Sequence, residues 1–211
     1  MSARTKNNNQ KKQRAMKVQS SNALNPSSVL NTDHHDWSHH PSLRQARSLI
    51  QEGDYVGAAN LLGSAGRDPY VRNALGVCLI RAGQVDKAVD VYRSFVLMPG
   101  TVLERPDVSN SAKRNFATAL LLKGFPSGTL SVLAEIRDPD HPMAVRLYAA
   151  IRQWEKSLSW FRRLDWKLNG VEPSNCKIVL DFEPGEFDFD VQAHRPGQPD
   201  KPRKSSLKLA A

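Results

Sequence analysis

The sequence has only two cysteines, Cys78 and Cys176, and neither lies in a spacing typical of a metal or redox site. A disulfide framework is therefore not expected. Apolar runs, such as residues 117–122, are far shorter than the roughly 20 residues that a membrane-spanning helix requires. The first residues contain no apolar signal core. We therefore expect a soluble, cytoplasmic protein that does not associate with membranes.

Recognisable catalytic motifs are also missing. The sequence has no glycine-rich phosphate loop after a strand and no nucleophile elbow. Two of the six histidines, His141 and His194, stand alone. Carboxylates such as Asp54, Asp86 and Asp90 fall at turns or on polar helix faces, where helix capping or solvation explains them. We therefore predict a non-enzymatic protein without a cofactor.

The other four histidines are concentrated in residues 32–41, TDHHDWSHHP. Zinc sites use three or four His, Cys or carboxylate ligands that converge from a rigid frame. His35 and His39 have the four-residue spacing of a helical ligand pair, and His34 and His40 could complete the shell. The segment nevertheless precedes the first predicted helix, where its aspartates and serine are suitable helix caps. We interpret it as a polar connection, with a metal site as the alternative.

Positive charge is concentrated at the two ends of the chain. The net charge of +9 divides into +6 over residues 1–17, −1 over residues 18–190 and +4 over residues 191–211. Residues 1–32 are rich in Asn, Gln, Ser and Lys and have few large apolar side chains, which predicts a disordered basic tail. The Pro-rich residues 191–211 predict a second one. Such tails bind nucleic acid nonspecifically through counterion release, which gives one alternative function.

Between the tails, apolar residues recur at the three- and four-residue spacing of amphipathic helices. Breaks at Gly53, Gly83 and Gly124 divide this pattern into helix–turn–helix units, and a fourth unit is predicted with its turn near Gln153. Repetition at a period of a few tens of residues is the sequence pattern of a solenoid. We therefore predict a helical repeat domain over residues 33–170.

The second unit, NALGVCLIRAGQVDKAVDVYRSFVLMP, resembles a tetratricopeptide repeat. Leu75 and Gly76 match the Leu-Gly pair of the first helix, and Gly83 matches the turn glycine. Ala88 matches the small residue that lets the two helices approach, and Tyr92 matches the large residue that packs the pair. The resemblance implies an all-α fold: a short right-handed α-solenoid of about four antiparallel helix pairs (TPR-like).

The other units match this family less regularly. Gly53 and Ala58 fit the turn and second helix of the first unit, whereas Thr129 and Ser157 replace the expected alanine in the third and fourth. The turn glycines are 30 and then 41 residues apart, against a regular period of about 34. The extra length falls in residues 98–111, which we predict to be an exposed loop.

A helical-hairpin solenoid presents the first helix of each pair on its concave side, here called the groove. The register of the repeat family places nine residues there: Arg47, Gln51, Tyr70, Asn73, Val77, Arg81, Arg114, Thr118 and Arg146. The arginines favour an acidic peptide, because guanidinium groups form forked, charge-assisted hydrogen bonds with carboxylates. We therefore predict a scaffold or adaptor that binds a protein or peptide, with acidic ligands favoured, and has no catalytic residues.

Residues 171–190, here called the arm, have a different composition. The segment EPGEFDFDV alternates acidic residues with phenylalanine and would complement an arginine-lined groove. We predict an extended acidic and aromatic arm that packs on the helices. Two placements are open from the sequence. The arm either covers the end of the fourth helix pair, which the need to cap a terminal repeat favours, or it folds into the groove.

Overall fold

The computed structural model describes residues 40–170, 172–173 and 176–191. Within these ranges the chain forms eight α-helices and no β-strand, so the predicted all-α class is confirmed. The helices are α1 (Pro41–Gln51), α2 (Tyr55–Gly63), α3 (Pro69–Arg81), α4 (Val85–Val96), α5 (Asn110–Lys123), α6 (Pro126–Ile136), α7 (Pro142–Ser157) and α8 (Trp160–Asn169).

The helices pack in the order in which they follow one another. From α1 to α7 each helix packs against the next, and the first helices of successive pairs, α1, α3, α5 and α7, also contact one another. The connections inside the first three pairs are only two or three residues long, which makes the two helices of a pair antiparallel. This packing is the solenoid-like arrangement that the repeated pattern predicts.

Local sequence explains where these helices begin and end. Prolines occupy the first turn of four helices: Pro41, Pro69, Pro126 and Pro142. The Asp68 carboxylate caps α3 by accepting a hydrogen bond of 2.9 Å from the backbone N–H of Tyr70. Gly53, Gly83 and Gly124 adopt φ angles of 79°, 73° and 93°. This left-handed conformation lets the chain reverse direction after α1, α3 and α5.

The second pair is held together by a close approach between Gly76 and Tyr92. Tyr92 and Ala88 are both fully buried. A Cβ atom at Gly76 would overlap the Tyr92 ring, so the ring lies directly against the backbone of α3. Gly76 and Tyr92, two of the residues that carry the repeat resemblance in this unit, therefore form a packing contact between α3 and α4.

The fourth pair departs from the prediction in one respect. The turn predicted near Gln153 is wrong, because α7 continues to Ser157 and the turn lies at residues 158–159. The Arg163 guanidinium donates hydrogen bonds to three backbone oxygens at the end of α7. These side-chain donors satisfy the last carbonyl groups of the helix, so α7 ends without a glycine.

The last helix is only lightly attached to the stack. Trp166 is the one buried residue of α8, and its ring meets that of Trp154 edge-on with centroids 5.2 Å apart. Trp160 and Phe161 are 67% and 76% exposed. The described residues of the arm therefore do not cover this end of the stack.

The long connection between α4 and α5 is mostly exposed, but Val108 and the side chain of Glu104 are shielded from solvent. Leu97 and Glu104 form an isolated antiparallel bridge. The Glu104 side chain is only 4% exposed and lies 3.4 Å from the Lys113 ammonium group. Burial raises the pKa of the Glu104 carboxyl above its ordinary value, and the nearby Lys113 opposes that rise. Glu104 is therefore a buried ionisable group at the base of an otherwise exposed loop.

Several sequence predictions concern residues outside the described ranges. They are the N-terminal basic tail (1–32), nearly all of the C-terminal one, and His34, His35 and His39. Among the described helices, none combines the length and the apolar character needed to cross a bilayer.

Candidate functional site

The described part of the arm lies along the first helices of the second and third pairs. Glu183 and Gly185 contact Arg81, at the end of α3, and Asp188 contacts Asn73, eight residues earlier on the same helix. The arm therefore runs antiparallel to α3. Asn73, Val77 and Arg81 are spaced four residues apart, so they form one stripe along α3 that follows the arm. Of the two placements left open by the sequence, the structure has the arm against the groove residues.

Arg81 holds the middle of the arm through its charge, its hydrogen-bond donors and its flat face. One guanidinium nitrogen lies 2.7 Å from the Glu183 carboxylate. Two others donate to the backbone oxygens of Pro184 and Gly185, at 3.2 and 3.0 Å. The Phe187 ring lies over the guanidinium plane at 4.7 Å from its centre. Because the Arg81 side chain is 10% exposed, these interactions are screened less by water than surface contacts are.

Asn115 binds the backbone of the arm at Glu186. The Asn115 amide nitrogen donates to the Glu186 carbonyl oxygen, and the Glu186 N–H donates to the Asn115 amide oxygen, both at 2.8 Å. A neighbouring β-strand would satisfy the same two backbone groups in a similar way. This recognition uses only main-chain atoms of the arm and is therefore independent of its side chains.

The Glu186 side chain is bound separately, by Arg114. Its carboxylate oxygen lies 2.7 Å from both Nε and Nη2 of Arg114. His141 Nε2 lies 4.0 Å from the other carboxylate oxygen. His141 also caps α7, because its Nδ1 accepts from the backbone N–H of Met143 at 3.2 Å. The Arg114 guanidinium, from α5, and the His141 imidazole, at the start of α7, thus both lie close to one carboxylate.

A chain of hydrogen bonds connects the arm to the core of the second pair. The buried Tyr92 hydroxyl donates to the Asn73 carbonyl oxygen at 3.1 Å. The Asn73 amide oxygen accepts from Asn115 at 2.9 Å, and the Asn73 amide nitrogen donates to the Asp188 carboxylate at 2.7 Å. Burial, with a further contribution from Asp188, raises the pKa of Tyr92 well above its ordinary value. The phenol therefore stays neutral and remains a donor.

Gly185 lies where the arm comes closest to α3. Its φ angle is +80°, a left-handed conformation that is costly for residues with a side chain. A Cβ atom placed on it would lie 3.0 and 3.3 Å from the two methyl carbons of Val77. Backbone conformation and available space thus both favour glycine at this position of the arm.

The first described residues of the arm are attached beside the turn after α5. The Glu172 carboxylate accepts from the backbone N–H of Ser127 at 2.9 Å, and also from the Ser127 hydroxyl, at the start of α6. The backbone oxygen of Cys176 lies directly against Gly124. Farther along, the Phe182 ring lies 5.6 Å from the Arg146 guanidinium. The arm is therefore in contact with the helices before, as well as at, the groove.

The predicted groove residues take different positions around the arm. Those that lie against it are Asn73, Val77, Arg81, Arg114 and Arg146. Thr118 is buried, and its hydroxyl donates to the Arg114 carbonyl oxygen within α5. Arg47, Gln51 and Tyr70 are half-buried on α1 and α3.

Contact residues that were not predicted from the sequence include Asn115, His141 and Tyr55, whose hydroxyl donates to Glu183 at 3.1 Å. Gly124 and Ser127, which contact the start of the arm, are two others. A signal for Asn115 was present. The dipeptide Arg-Asn occurs at residues 72–73 of α3 and again at residues 114–115 of α5, in the first half of the first helix of two successive pairs. Asparagines that are buried in an apolar helix need hydrogen-bond partners. Asn73 and Asn115 bond to each other and to the arm.

The structure bears on only one of the four candidate metal ligands. His40 is the residue that precedes α1, and its Nε2 lies 3.8 Å from the Asp68 carboxylate. Over residues 40–170, 172–173 and 176–191, no group of three or more His, Cys, Asp or Glu side chains is placed to hold a metal ion. Burial raises the pKa of Cys78 to about 12, so this thiol stays uncharged at neutral pH and is a poor nucleophile.

The chain was compared with family models, curated proteins and solved structures, and none of the three comparisons gives a match. A functional assignment therefore depends on the contacts between the arm and the first helices.

Proposed function

We propose that this chain is a TPR-like, non-enzymatic scaffold that binds an acidic peptide or protein segment in its groove. The supporting observation is that Asn115 and Arg81 bind main-chain atoms of an extended acidic segment, while Arg114 binds one of its carboxylates. Receptors for extended peptides combine main-chain hydrogen bonds, which give affinity, with a few side-chain contacts, which give specificity. The groove has both kinds of contact.

The charges of the groove support an acidic ligand. The Arg81 and Arg114 side chains are 10% and 8% exposed. An arginine buried to this degree is costly unless a carboxylate or several carbonyl oxygens pair with it. Residues 181–190 of the arm contain five carboxylates and no basic residue. A segment without acidic groups would leave Arg114 only the more distant Asp138 carboxylate, 3.4 Å from its Nη1, in place of the 2.7 Å contacts with Glu186. The same surface therefore disfavours neutral and basic segments.

The proposal is tested by binding in trans. A fluorescently labelled peptide with the sequence of residues 180–191 is added to the full-length chain that carries Glu186→Lys. This substitution places a cation against Arg114 and weakens the binding of the chain's own arm. We expect a saturable rise in fluorescence anisotropy.

Two further variants identify the binding surface. Adding Arg81→Ala should abolish the rise, whereas adding Arg93→Ala, an exposed arginine on α4, should preserve it. The absence of saturable binding to a Glu186→Lys chain that unfolds cooperatively would overturn the proposal.

A further inference from the structure

We infer that the groove selects its partners through a short motif equivalent to residues 185–187 of the arm, in which a glycine is followed by an acidic and then an aromatic residue. The arm itself is then a competitor that such a partner must displace. This inference rests on the proposed function and specifies the ligand of the same surface. The observation that carries it is that each position of the motif has its own structural requirement.

The glycine requirement comes from backbone conformation and from space. Gly185 has φ of +80° and lies against Val77, whose methyl carbon would be 3.0 Å from an added Cβ atom. The Gly185 carbonyl oxygen also accepts from Arg81 at 3.0 Å. A change of φ that relieved the strain of a side chain would move this oxygen away from its donor. An L-residue at the equivalent position of a partner is therefore disfavoured.

The acidic requirement is strongest at the position after the glycine. Glu186 is bound by two nitrogens of Arg114 at 2.7 Å and its side chain is 24% exposed. Glu183, by contrast, contacts Arg81 with a side chain that is 60% exposed. Exposed ion pairs contribute little because water and salt screen them. The carboxylate after the glycine, rather than overall negative charge, is therefore the main charge that the groove recognises.

The aromatic requirement follows from the position of Arg81. Its guanidinium lies 5.4 Å from the Tyr55 ring centre and 4.7 Å from the Phe187 ring centre. Phe187 in turn stacks on Phe189 with centroids 5.2 Å apart. Aromatic faces attract a cation and exclude water from it. A partner with an aliphatic residue at this position would leave one face of Arg81 more exposed.

The arm competes because it belongs to the same chain. A segment joined by a short connection acts at an effective concentration on the order of millimolar. A partner with the same motif therefore binds the wild-type chain more weakly than it binds a chain whose arm has been weakened. Only a partner that is abundant, or that fits the groove better than the arm does, therefore displaces the arm.

The test uses labelled peptides of residues 180–191 and the full-length Glu186→Lys chain. The Gly185→Ala peptide should bind about 5- to 30-fold more weakly than the native peptide, from the left-handed penalty alone. The Phe187→Ala peptide should also bind more weakly. The control is the Asp190→Ala peptide, which loses one charge at an exposed position and should bind within about twofold of the native peptide.

A second receptor variant separates the two causes of the glycine requirement. Val77→Ala, introduced into the Glu186→Lys chain, removes the methyl groups that an added Cβ atom would meet. It should restore part of the affinity for the Gly185→Ala peptide, because the conformational penalty remains.

The outcomes separate the inference from the proposed function. Equal binding of the Gly185→Ala and native peptides would overturn the motif and leave the scaffold function standing. Equal affinity of the native peptide for wild-type and Glu186→Lys chains would overturn the competition by the arm. If neither peptide binds the folded Glu186→Lys chain, the scaffold function itself is wrong.

Discussion

Asn115 and Glu186 are joined by two hydrogen bonds of 2.8 Å, one in each direction between the Asn115 amide and the Glu186 backbone. The two residues are 71 positions apart in the chain. With the arm in place Asn115 is 0% exposed, so these two bonds are shielded from water. The arm therefore contributes to the stability of the helices, and any partner that displaces it must supply equivalent bonds.

Asn115→Ala should destabilise the protein by about 1–3 kcal/mol, because it leaves both backbone groups of Glu186 and the amide oxygen of Asn73 without this partner. The control is Asn169→Ala, which removes an exposed hydrogen bond to Asp165 on α8 and should change stability by less than about 0.5 kcal/mol. Urea denaturation followed by circular dichroism gives both values. Similar losses for the two variants would show that the Asn115 bonds contribute no more than a surface contact.

Alanine substitutions at Gly76 and Gly63 should change the stability of the protein in opposite directions. Gly76→Ala should destabilise the protein by about 1–3 kcal/mol or more, because the added methyl group overlaps the fully buried Tyr92 ring. Gly63 ends α2 and has no other atom within 4 Å of an added Cβ. Gly63→Ala should therefore stabilise by up to about 1 kcal/mol through its better helix propensity. Thermal unfolding of both variants measures the two shifts, and a stabilising Gly76→Ala would contradict the close contact with Tyr92.

The helix pairs could be predicted because their signals are local in the sequence. Turn glycines such as Gly53 and Gly83 and the period of the apolar residues need no knowledge of distant contacts. The end of α7 could not be predicted in this way. The side chain of Arg163 satisfies the last carbonyl groups of that helix. This contact produces no periodic sequence pattern around Gln153.

The stripe of groove residues on α3 could be predicted for the same reason, since Asn73, Val77 and Arg81 follow the helical period. The position of the arm could not be chosen from composition. Its acidic and aromatic residues fit either an arginine-lined groove or an exposed aromatic surface. The main-chain bonds to Asn115 distinguish the two placements in the structure, and pairing of this kind depends on three-dimensional proximity alone.

The buried carboxyl of Glu104 should make stability depend on pH. Its pKa in the folded protein is raised, chiefly by burial, so the folded state holds this proton more tightly than the unfolded state does. The contribution is fully present below the ordinary glutamate pKa and is lost as the pH rises through the raised value. We expect the stability of the wild type relative to Glu104→Gln to fall over this pH window.

Asp107 gives a control of opposite sign. Its carboxylate lies 2.6 Å from Arg105, and the hydrogen bond from Arg105 lowers the pKa of Asp107. The stability that Asp107 contributes is present above the ordinary aspartate pKa and is lost as the pH falls. Relative to Asp107→Asn, the wild type should therefore gain stability as the pH rises. Urea denaturation over a series of pH values measures the stability of the wild type relative to each variant. If the stability relative to Glu104→Gln rose with pH, the result would contradict a raised pKa of Glu104.

Two tryptophans of α8 have very different environments. The Trp166 ring meets Trp154 edge-on, and its indole N–H donates to the Glu155 carboxylate at 2.8 Å. Trp160 contacts the ring of Phe161, but both of these side chains are largely exposed. Trp166 is therefore the main apolar attachment of α8, beside the hydrogen bonds that Arg163 donates to the end of α7.

Trp166→Ala should cost about 3 kcal/mol, because it removes a buried ring and leaves the indole site on Trp154 empty. Trp160→Ala should change stability by less than about 0.5 kcal/mol. Far-UV circular dichroism measures unfolding without relying on tryptophan emission, which both substitutions alter. Hydrogen exchange adds a local measurement. Backbone amides of α8 should exchange faster in Trp166→Ala and at the wild-type rate in Trp160→Ala, and equal exchange in the two variants would show that α8 is held by contacts other than Trp166.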